Sequence, residues 1–214
     1  VSSGCDHCWH LRMADRLVGV KTLANEIRAA YAGEGPPILD ERRLREPLSW
    51  RKPQQNGVQF MGDLYHADVT DEMRDRVYAV MALASWHHFL VFTKRVRGAL
   101  DYLTAPCRIA DIVSSSCDIE GDAILKGRRI RTTMEDSLPF PNVGLVASIE
   151  DQKTADERLP LLLQCPAAWH GVSIEPCLSP VGLAYHFPSA HGLRNDRFWV
   201  VLGGESGPGI LGLW

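Results

Sequence analysis

Two cysteines near the start of the chain have the spacing of a metal-binding or cluster-binding motif. Cys5 and Cys8 are separated by two residues, within the polar, glycine-led segment 4–10. A turn of this length points both sulfurs the same way, so both thiolates can ligate one metal ion or one iron–sulfur cluster. Three alternatives stay open: a zinc site that includes His10, a redox pair, and two buried thiols without a ligand. The polar surroundings favour ligation over burial.

A second set of polar residues directly follows the short apolar segments of the chain. The set comprises Asp63, Thr93, Lys94, Ser148, Glu150, Asp151, Ser173, Glu175, Gly204 and Glu205. In parallel α/β folds, ligands bind where strands pass into loops at their carboxyl ends. Strand ends are also where solvent begins, so one carboxylate there would mean little. Polar ends on five successive strands favour a binding site.

The elements that would position these residues follow from the pattern of apolar side chains. Five continuous apolar segments predict buried strands, at 58–61, 89–92, 143–147, 169–174 and 198–202. They alternate with predicted helices at 8–31, 71–84 and 95–103, and with one between a Thr154–Glu157 capping box and Pro166. His87 and His88 precede a strand and are predicted to lie on the surface at the opposite edge of the sheet.

This alternation predicts an α/β fold in which helices cover a parallel sheet. The chain opens on a helix, so a further strand is expected upstream of Val1, which gives at least six strands. We therefore expect one domain over residues 1–214, truncated at both ends, with loop insertions at about 104–142 and 178–196. A partial (β/α) barrel and a doubly wound sheet both fit. The absence of G-x-G-x-x-G after the first strand disfavours a dinucleotide-binding version of the second.

Composition and charge exclude several classes of protein. A chain of 214 residues that is 45% hydrophobic can bury a core, and a net charge of −3 gives no overall basic field for nucleic acid or an anionic membrane. No segment approaches the ~20 apolar residues that span a bilayer, and no signal-peptide pattern opens the chain. Only one pair among the six cysteines is close-spaced, which argues against a disulfide scaffold and predicts the reducing cytoplasm.

One local exception to the acidic balance is a basic cluster in the second half of the chain. It comprises Lys126, Arg128, Arg129 and Arg131. Such a cluster is more often a solvated loop than a nucleic-acid site, and we interpret it so.

Several blocks of the sequence resemble a phage- and bacteria-borne family of radical-SAM-like proteins named for a three-cysteine motif. The blocks are 1–8, 12–14, 62–66, 80–84, 93–95, 148–152, 155–158, 173–176 and 203–209. They occur in the order of the family and cover most of the chain outside the two insertions. The resemblance implies a partial (β/α) barrel of the radical SAM type with a C-x6-C-x2-C loop. Cys5 and Cys8 match its second and third cysteines, the first being expected upstream of Val1.

The resemblance also implies cofactors and roles for individual residues. A 4Fe-4S cluster would be held by the cysteines, and S-adenosyl-L-methionine would be cleaved reductively to a 5′-deoxyadenosyl radical. By position, Asp63 would meet the amino group of the methionine moiety. The ribose or the substrate would be met by Ser148, Glu150, Ser173 and Glu175. The Gly203–Gly204 turn would allow close approach of an adenine or a phosphate.

Partners and alternatives complete the set of expectations. The radical interpretation requires a reductant protein and leaves room for a partner protein, and the phage association suggests a nucleotide or nucleic-acid substrate that the net charge does not support. Two other functions stay open: a zinc-binding or degenerate barrel that acts as an interaction module, and a cluster-free α/β binding module. In the family, Trp9–His10 is usually an aromatic residue followed by alanine. The segment 105–137 has no counterpart there.

Overall fold

Five strands form one parallel sheet in the computed structural model, which describes residues 9–59, 62–120, 138–186 and 198–203. The strands are β1 (Gln55–Val58), β2 (His88–Thr93), β3 (Val143–Ile149), β4 (Trp169–Ile174) and β5 (Phe198–Leu202). The helices of the described residues are α1 (Trp9–Val18), α2 (Asn25–Tyr31), α3 (Glu41–Ser49), α4 (Asp71–Leu83), α5 (Val96–Leu103), α6 (Arg108–Glu120) and α7 (Gln152–Leu162). None of these helices is long and apolar enough to span a bilayer. The predicted α/β class with a parallel sheet is confirmed.

The strands are hydrogen-bonded to one another in the order in which they occur along the chain. Every neighbouring pair, from β1–β2 to β4–β5, is parallel. A doubly wound sheet reverses its strand order at a switch point, and no reversal occurs among the five described strands. The carboxyl ends of all five strands therefore lie along one edge of the sheet, which we call the carboxyl edge.

The two faces of the sheet are packed separately. On one face, Val91 and its register partner Leu145 belong to the main hydrophobic core, together with residues of α4, α5 and α7. On the other face, Leu90 and Val146 are buried but lie outside that core. Gly144 lies on this second face, where an added Cβ would come within 3.0 Å of Leu90 Cδ2. A larger residue there would displace the Leu90 side chain, which crosses over Gly144 from the neighbouring strand.

The first strand lies earlier than the sequence pattern predicts. The apolar segment 58–61 predicts a strand, but β1 covers Gln55–Val58 and pairs with β2 through Val58 and Val91. Gln59, which follows it, has a φ of 59°. This left-handed backbone conformation ends the extended chain. The other four strands occur where they are predicted, with small differences at their ends.

The predicted helix over residues 8–31 is two helices in the structure. α1 ends at Val18 and α2 begins at Asn25. Gly19 follows α1 directly, and the turn continues with a hydrogen bond from the Val20 N–H to the Leu17 carbonyl oxygen (3.0 Å). Glycine is about 1 kcal/mol less favourable than alanine inside a helix, which favours ending α1 here. The apolar periodicity of the sequence continues past this turn, and for that reason it predicts one helix instead of two.

Two helices occur where the sequence predicts irregular connections. α3 is capped by the Asp40 carboxylate, which accepts from the Arg42 and Arg43 N–H groups. α6 occupies 108–120, inside the predicted insertion at 104–142, of which 121–137 lies outside the described residues. Along α6 the buried positions include Ile112, Ser116 and Ile119. Their spacing is helical, but the buried serine interrupts the apolar pattern by which helices are recognised.

The capping box of α7 lies three residues before the predicted one. Asp151, not Thr154, is the cap residue: its carboxylate accepts from the Thr154 N–H (2.8 Å), and the Thr154 hydroxyl accepts from the Asp151 N–H (3.1 Å). Thr154 is thus the third residue of the helix rather than its cap. The box fixes the direction in which the chain leaves β3.

His87 is buried, contrary to the prediction of a surface position, whereas His88 is exposed. His87 Nε2 donates to the Pro47 carbonyl oxygen (3.0 Å), and His87 Nδ1 accepts from the Gln54 N–H (3.0 Å). The prediction is wrong because α3, which supplies Pro47, covers this edge of the sheet.

His170, on β4, makes the fold sensitive to pH. Burial lowers its pKa below the usual 6.5, and the hydrogen bond between Nε2 and the Cys165 carbonyl oxygen (2.9 Å) opposes this only partly. The unfolded chain therefore binds the proton at a higher pH than the folded chain. The contribution of neutral His170 to the free energy of unfolding is therefore fully present above about pH 6.5 and is lost as the pH falls below that value.

We expect the free energy of unfolding, measured by urea denaturation between about pH 7.5 and pH 5, to fall less steeply in His170→Gln than in the wild type. The control is His88→Gln, which changes an exposed histidine of β2, two strands away in the sheet, and it should keep the wild-type slope. Equal slopes in all three proteins would contradict the assignment to His170.

Candidate functional site

Asp63 joins the segment after β1 to the end of β2. Its Oδ1 accepts from the Tyr65 N–H (3.0 Å) and the Thr93 hydroxyl (2.8 Å). Its Oδ2 accepts from the Lys94 N–H (2.9 Å) and Arg95 Nη1 (3.1 Å). A carboxylate offers about four lone-pair positions, and these donors occupy them. Asp63 also lies at the start of α5, where the helix dipole favours a negative charge.

Arg74 of α4 holds the segment that carries Asp63. Its Nε donates to the Leu64 carbonyl oxygen (3.0 Å), and its Nη2 donates to the His66 carbonyl oxygen (2.9 Å). The guanidinium carbon lies 6.0 Å from the centre of the Tyr65 ring. This role of Arg74 is not predictable from the sequence, since nothing in the local pattern of a helix shows which loop an arginine will contact.

Glu150, at the end of β3, is a fully buried carboxylate between two cations. Its side chain has 0% exposure. Lys94 Nζ donates to Oε1, and Arg158 Nη1 donates to Oε2 (3.1 Å). Arg158, from α7, also donates to the Ser148 carbonyl oxygen. Buried charges require such pairing, and the pairs connect the ends of β2 and β3 with α7. The sequence pattern predicts Lys94 at this edge, whereas it gives no indication of Arg158.

The ends of β3, β4 and β5 carry the other described residues of the predicted site. Ser148 and Ser173 are register partners on adjacent strands. The Ser173 hydroxyl donates to Glu175 Oε2 (2.8 Å), and Glu175 is exposed. A Cβ on Gly203 would lie 2.5 Å from Glu175 Oε1, so a larger residue at 203 would displace this exposed carboxylate from Ser173. Gly203 also donates its N–H to the Ile174 carbonyl oxygen (3.0 Å).

The structure thus brings predicted residues, together with Arg95 and Arg158, into two contacting groups along the carboxyl edge. The first group contains Asp63, Thr93, Lys94, Arg95, Glu150 and Arg158. The second contains Ser173, Glu175 and Gly203, and the pairing of Ser148 with Ser173 joins the strands that carry the two groups. Cys5, Cys8, Gly204 and Glu205 lie outside the described residues.

Asp151 belongs to the edge by sequence but is used to cap α7. Hydrogen bonds from the N–H and the hydroxyl of Thr154 lower the pKa of its carboxyl. Its predicted place at a strand end is correct, and its contacts are those of a helix cap.

Comparison with known proteins places the chain in a family. Residues 1–211 match the family model described as "Protein of unknown function (DUF5131)". The chain belongs to this family. Neither the curated proteins nor the solved structures contain a significant match. The matched range includes both cysteines of the C-x2-C motif and all residues of the carboxyl edge, which are therefore part of the family domain.

The described residues of this family member offer hydrogen-bonding groups and cations rather than a preformed metal site. No cluster of three His, Cys, Asp or Glu side chains with metal-binding geometry occurs among them. Burial raises the pKa of the Cys165 thiol to about 12, so this cysteine stays protonated at neutral pH. The carboxyl edge thus presents the Glu175 carboxylate, Ser148, Ser173 and the cations near Glu150.

Proposed function

We propose that this DUF5131 member is a radical S-adenosylmethionine-type enzyme with a partial (β/α) barrel fold. Cys5 and Cys8 would hold part of a 4Fe-4S cluster, and the carboxyl edge would bind S-adenosyl-L-methionine and an unidentified substrate. When bound, these groups would supply one-electron reduction and a 5′-deoxyadenosyl radical that abstracts a hydrogen atom from the substrate. The observation that carries the proposal is the succession of polar residues, in contact with one another, along the carboxyl edge.

The strand order supports the barrel part of the proposal. Parallel strands are joined by right-handed crossovers in nearly all proteins, so a sheet in sequential order receives its helices on one face. The hydrophobic core formed by α4, α5, α7 and the sheet is consistent with this. The opposite face, with Leu90, Gly144 and Val146, would then be the interior of the barrel.

The spacing of the cysteine pair supports the cluster part of the proposal. Cys5 and Cys8 are separated by two residues, and a turn of this length lets both thiolates ligate one cluster or one metal ion.

The described residues fit S-adenosyl-L-methionine through their chemistry. Glu175 offers carboxylate oxygens to hydroxyl or ammonium donors, and Ser173 holds it in place. This carboxylate occupies the space that a Cβ on Gly203 would fill, so a ligand at this point would meet Glu175 first. Asp63, predicted to meet the amino group, already accepts from four donors. That contact therefore requires one donor to leave, and Arg95 is partly exposed, with 38% exposure.

The test is the metal content and the EPR spectrum of the full-length protein after anaerobic reconstitution and reduction. We expect iron with sulfide, and a reduced-cluster signal that shifts when S-adenosyl-L-methionine is added. Cys5→Ala and Cys8→Ala should each abolish that signal. Cys117→Ala, which removes an exposed cysteine of α6, should keep the wild-type iron content and spectrum.

The same measurement distinguishes the alternative functions. Stoichiometric zinc without sulfide would overturn the radical proposal in favour of a zinc-binding interaction module. A protein without any metal after reconstitution would favour a cluster-free binding domain.

A further inference from the structure

Arg74 of α4 fixes the backbone of the segment that carries Asp63. Leu64 is 1% exposed, and its carbonyl oxygen accepts from Arg74 Nε (3.0 Å). The His66 carbonyl oxygen, two residues later, accepts from Arg74 Nη2 (2.9 Å). The two nitrogens belong to one planar, rigid guanidinium. A single side chain therefore sets the directions of both carbonyl groups and of the backbone between them.

Asp71, in the first turn of α4, fixes Arg74 in turn. Arg74 Nη1 donates to Asp71 Oδ1, and the exposed fractions of the two side chains are 12% for Arg74 and 56% for Asp71. Asp71 Oδ2 accepts from Arg108 Nη2 (2.8 Å), and Arg108 is also held by the buried Asp75. Because each oxygen of Asp71 binds one arginine, its carboxylate cannot rotate without losing one of them. Asp71 thus joins the segment that carries Asp63 to α6.

The contacts of Asp63 show why the position of this segment affects binding. Asp63 Oδ1 accepts from the Tyr65 N–H (3.0 Å), and Tyr65 lies between the two residues whose carbonyls Arg74 holds. Asp63 Oδ2 accepts from Arg95 Nη1 (3.1 Å), the partly exposed donor that a ligand ammonium would replace. The contacts of Oδ1 would remain after that exchange. The direction in which Oδ2 meets the ammonium therefore depends on Tyr65, and through it on Arg74.

We propose that Arg74 and Asp71 are positioning residues for the binding of S-adenosyl-L-methionine. Arg74 sets the direction of the Asp63 carboxylate toward the amino group of the ligand, and Asp71 holds Arg74 in the orientation that does so. The inference rests on the proposed function, which assigns Asp63 to that amino group. Both residues act through the same carboxylate, so their effects on binding should not add.

The first measurement is a calorimetric titration of the full-length, anaerobically reconstituted protein with S-adenosyl-L-methionine. Arg74→Met should raise the dissociation constant about tenfold or more, as expected when hydrogen bonds from a charged group are lost. Asp71→Asn should raise it about two- to fivefold, the range of a partly exposed ion pair. Arg76→Met and Glu72→Gln remove the same charges from nearby positions of α4 and should bind as the wild type does.

The double variant separates positioning from a general loss of stability. Adding Asp71→Asn to Arg74→Met should not weaken binding further, because the residue through which Asp71 acts is already absent. The free energy of unfolding should nevertheless fall further, because Asp71 also accepts from Arg108. If the two residues only stabilised the fold, both single variants would bind the ligand as the controls do, and the inference would be wrong.

Hydrogen exchange tests the positioning of Asp63 without any ligand. The Tyr65 and Lys94 amides donate to Asp63, and under native conditions they should exchange faster in Arg74→Met and in Asp71→Asn than in the wild type. The amides of β4 should keep their wild-type rates. A wild type that binds no S-adenosyl-L-methionine would overturn the proposed function, whereas faster exchange in both variants would still support the positioning of Asp63. Wild-type exchange rates in both variants would overturn the inference itself.

Discussion

Replacing Arg108 with methionine is expected to lower the free energy of unfolding by about 3–5 kcal/mol, the range found when one partner of a buried ion pair is removed. Arg108 Nη1 donates to Asp75 Oδ1 (2.8 Å), and both side chains are nearly inaccessible, with exposures of 8% and 9%. The same guanidinium lies 4.0 Å from the centre of the Tyr102 ring. Without it, Asp75 keeps the hydrogen bond from the Tyr102 hydroxyl (2.7 Å) but has lost its buried countercharge.

Urea denaturation followed by circular dichroism measures this loss. The matched control is Arg76→Met, because Arg76 of α4 contacts the half-exposed Glu41 through two hydrogen bonds of 3.0 and 2.6 Å. An exposed pair of this kind contributes at most about 1 kcal/mol. Replacing both Arg108 and Asp75 with apolar residues should recover much of the stability. Losses of equal size in Arg108→Met and Arg76→Met would show that burial does not set the strength of the first pair.

Glu150→Gln is expected to destabilise the protein by a similar amount, about 3–5 kcal/mol. The substitution keeps the shape of the side chain but leaves Lys94 and Arg158 facing a neutral amide. Because Glu150 is fully buried, water cannot replace the lost carboxylate. The substitution would also weaken the contact between Lys94 Nζ and residue 150, which links the ends of β2 and β3.

The control for Glu150 is Glu157→Gln, which removes a carboxylate from an exposed position of α7. A surface change of this kind usually alters stability by less than about 0.5 kcal/mol. Unfolding in urea should separate the two variants clearly. A Glu150→Gln protein as stable as Glu157→Gln would mean that the two cations find other partners, and that the ion pairs do not hold the edge together.

Strands β2 to β5 are predictable from the sequence because strands covered by other elements form continuous apolar segments. β1 is different: Gln55–Val58 contains one large apolar residue, and the strand lies at the edge of the described sheet. Its position depends on pairing with β2, which no local pattern contains. In α6, Ser116 is buried, and its hydroxyl donates to the Val113 carbonyl oxygen (2.7 Å). A pattern of apolar residues cannot predict that a polar residue such as this one is buried.

The carboxyl edge is predictable in part for a related reason. The rule that polar residues at parallel strand ends converge brings together Asp63, Lys94 and Glu150, as the structure confirms. Arg158 and Arg74 come from helices, and their partners depend on how those helices lie against the sheet. His87 shows the same dependence: its burial requires α3, which the sequence pattern does not predict.

The sequential strand order has a consequence for how the protein is made. Each strand pairs with the one synthesised before it, so the chain can add one strand–helix unit after another as it leaves the ribosome. β1, β2 and β3 can be paired before β5 is translated. Each parallel pairing still closes the loop formed by the intervening connection, but pairing in chain order avoids the longer loops that would slow folding further. At each of these stages the newest strand exposes unpaired backbone groups, and among the described strands β5 is an outer strand on which Val200 and Leu202 are more than half exposed, at 53% and 55%.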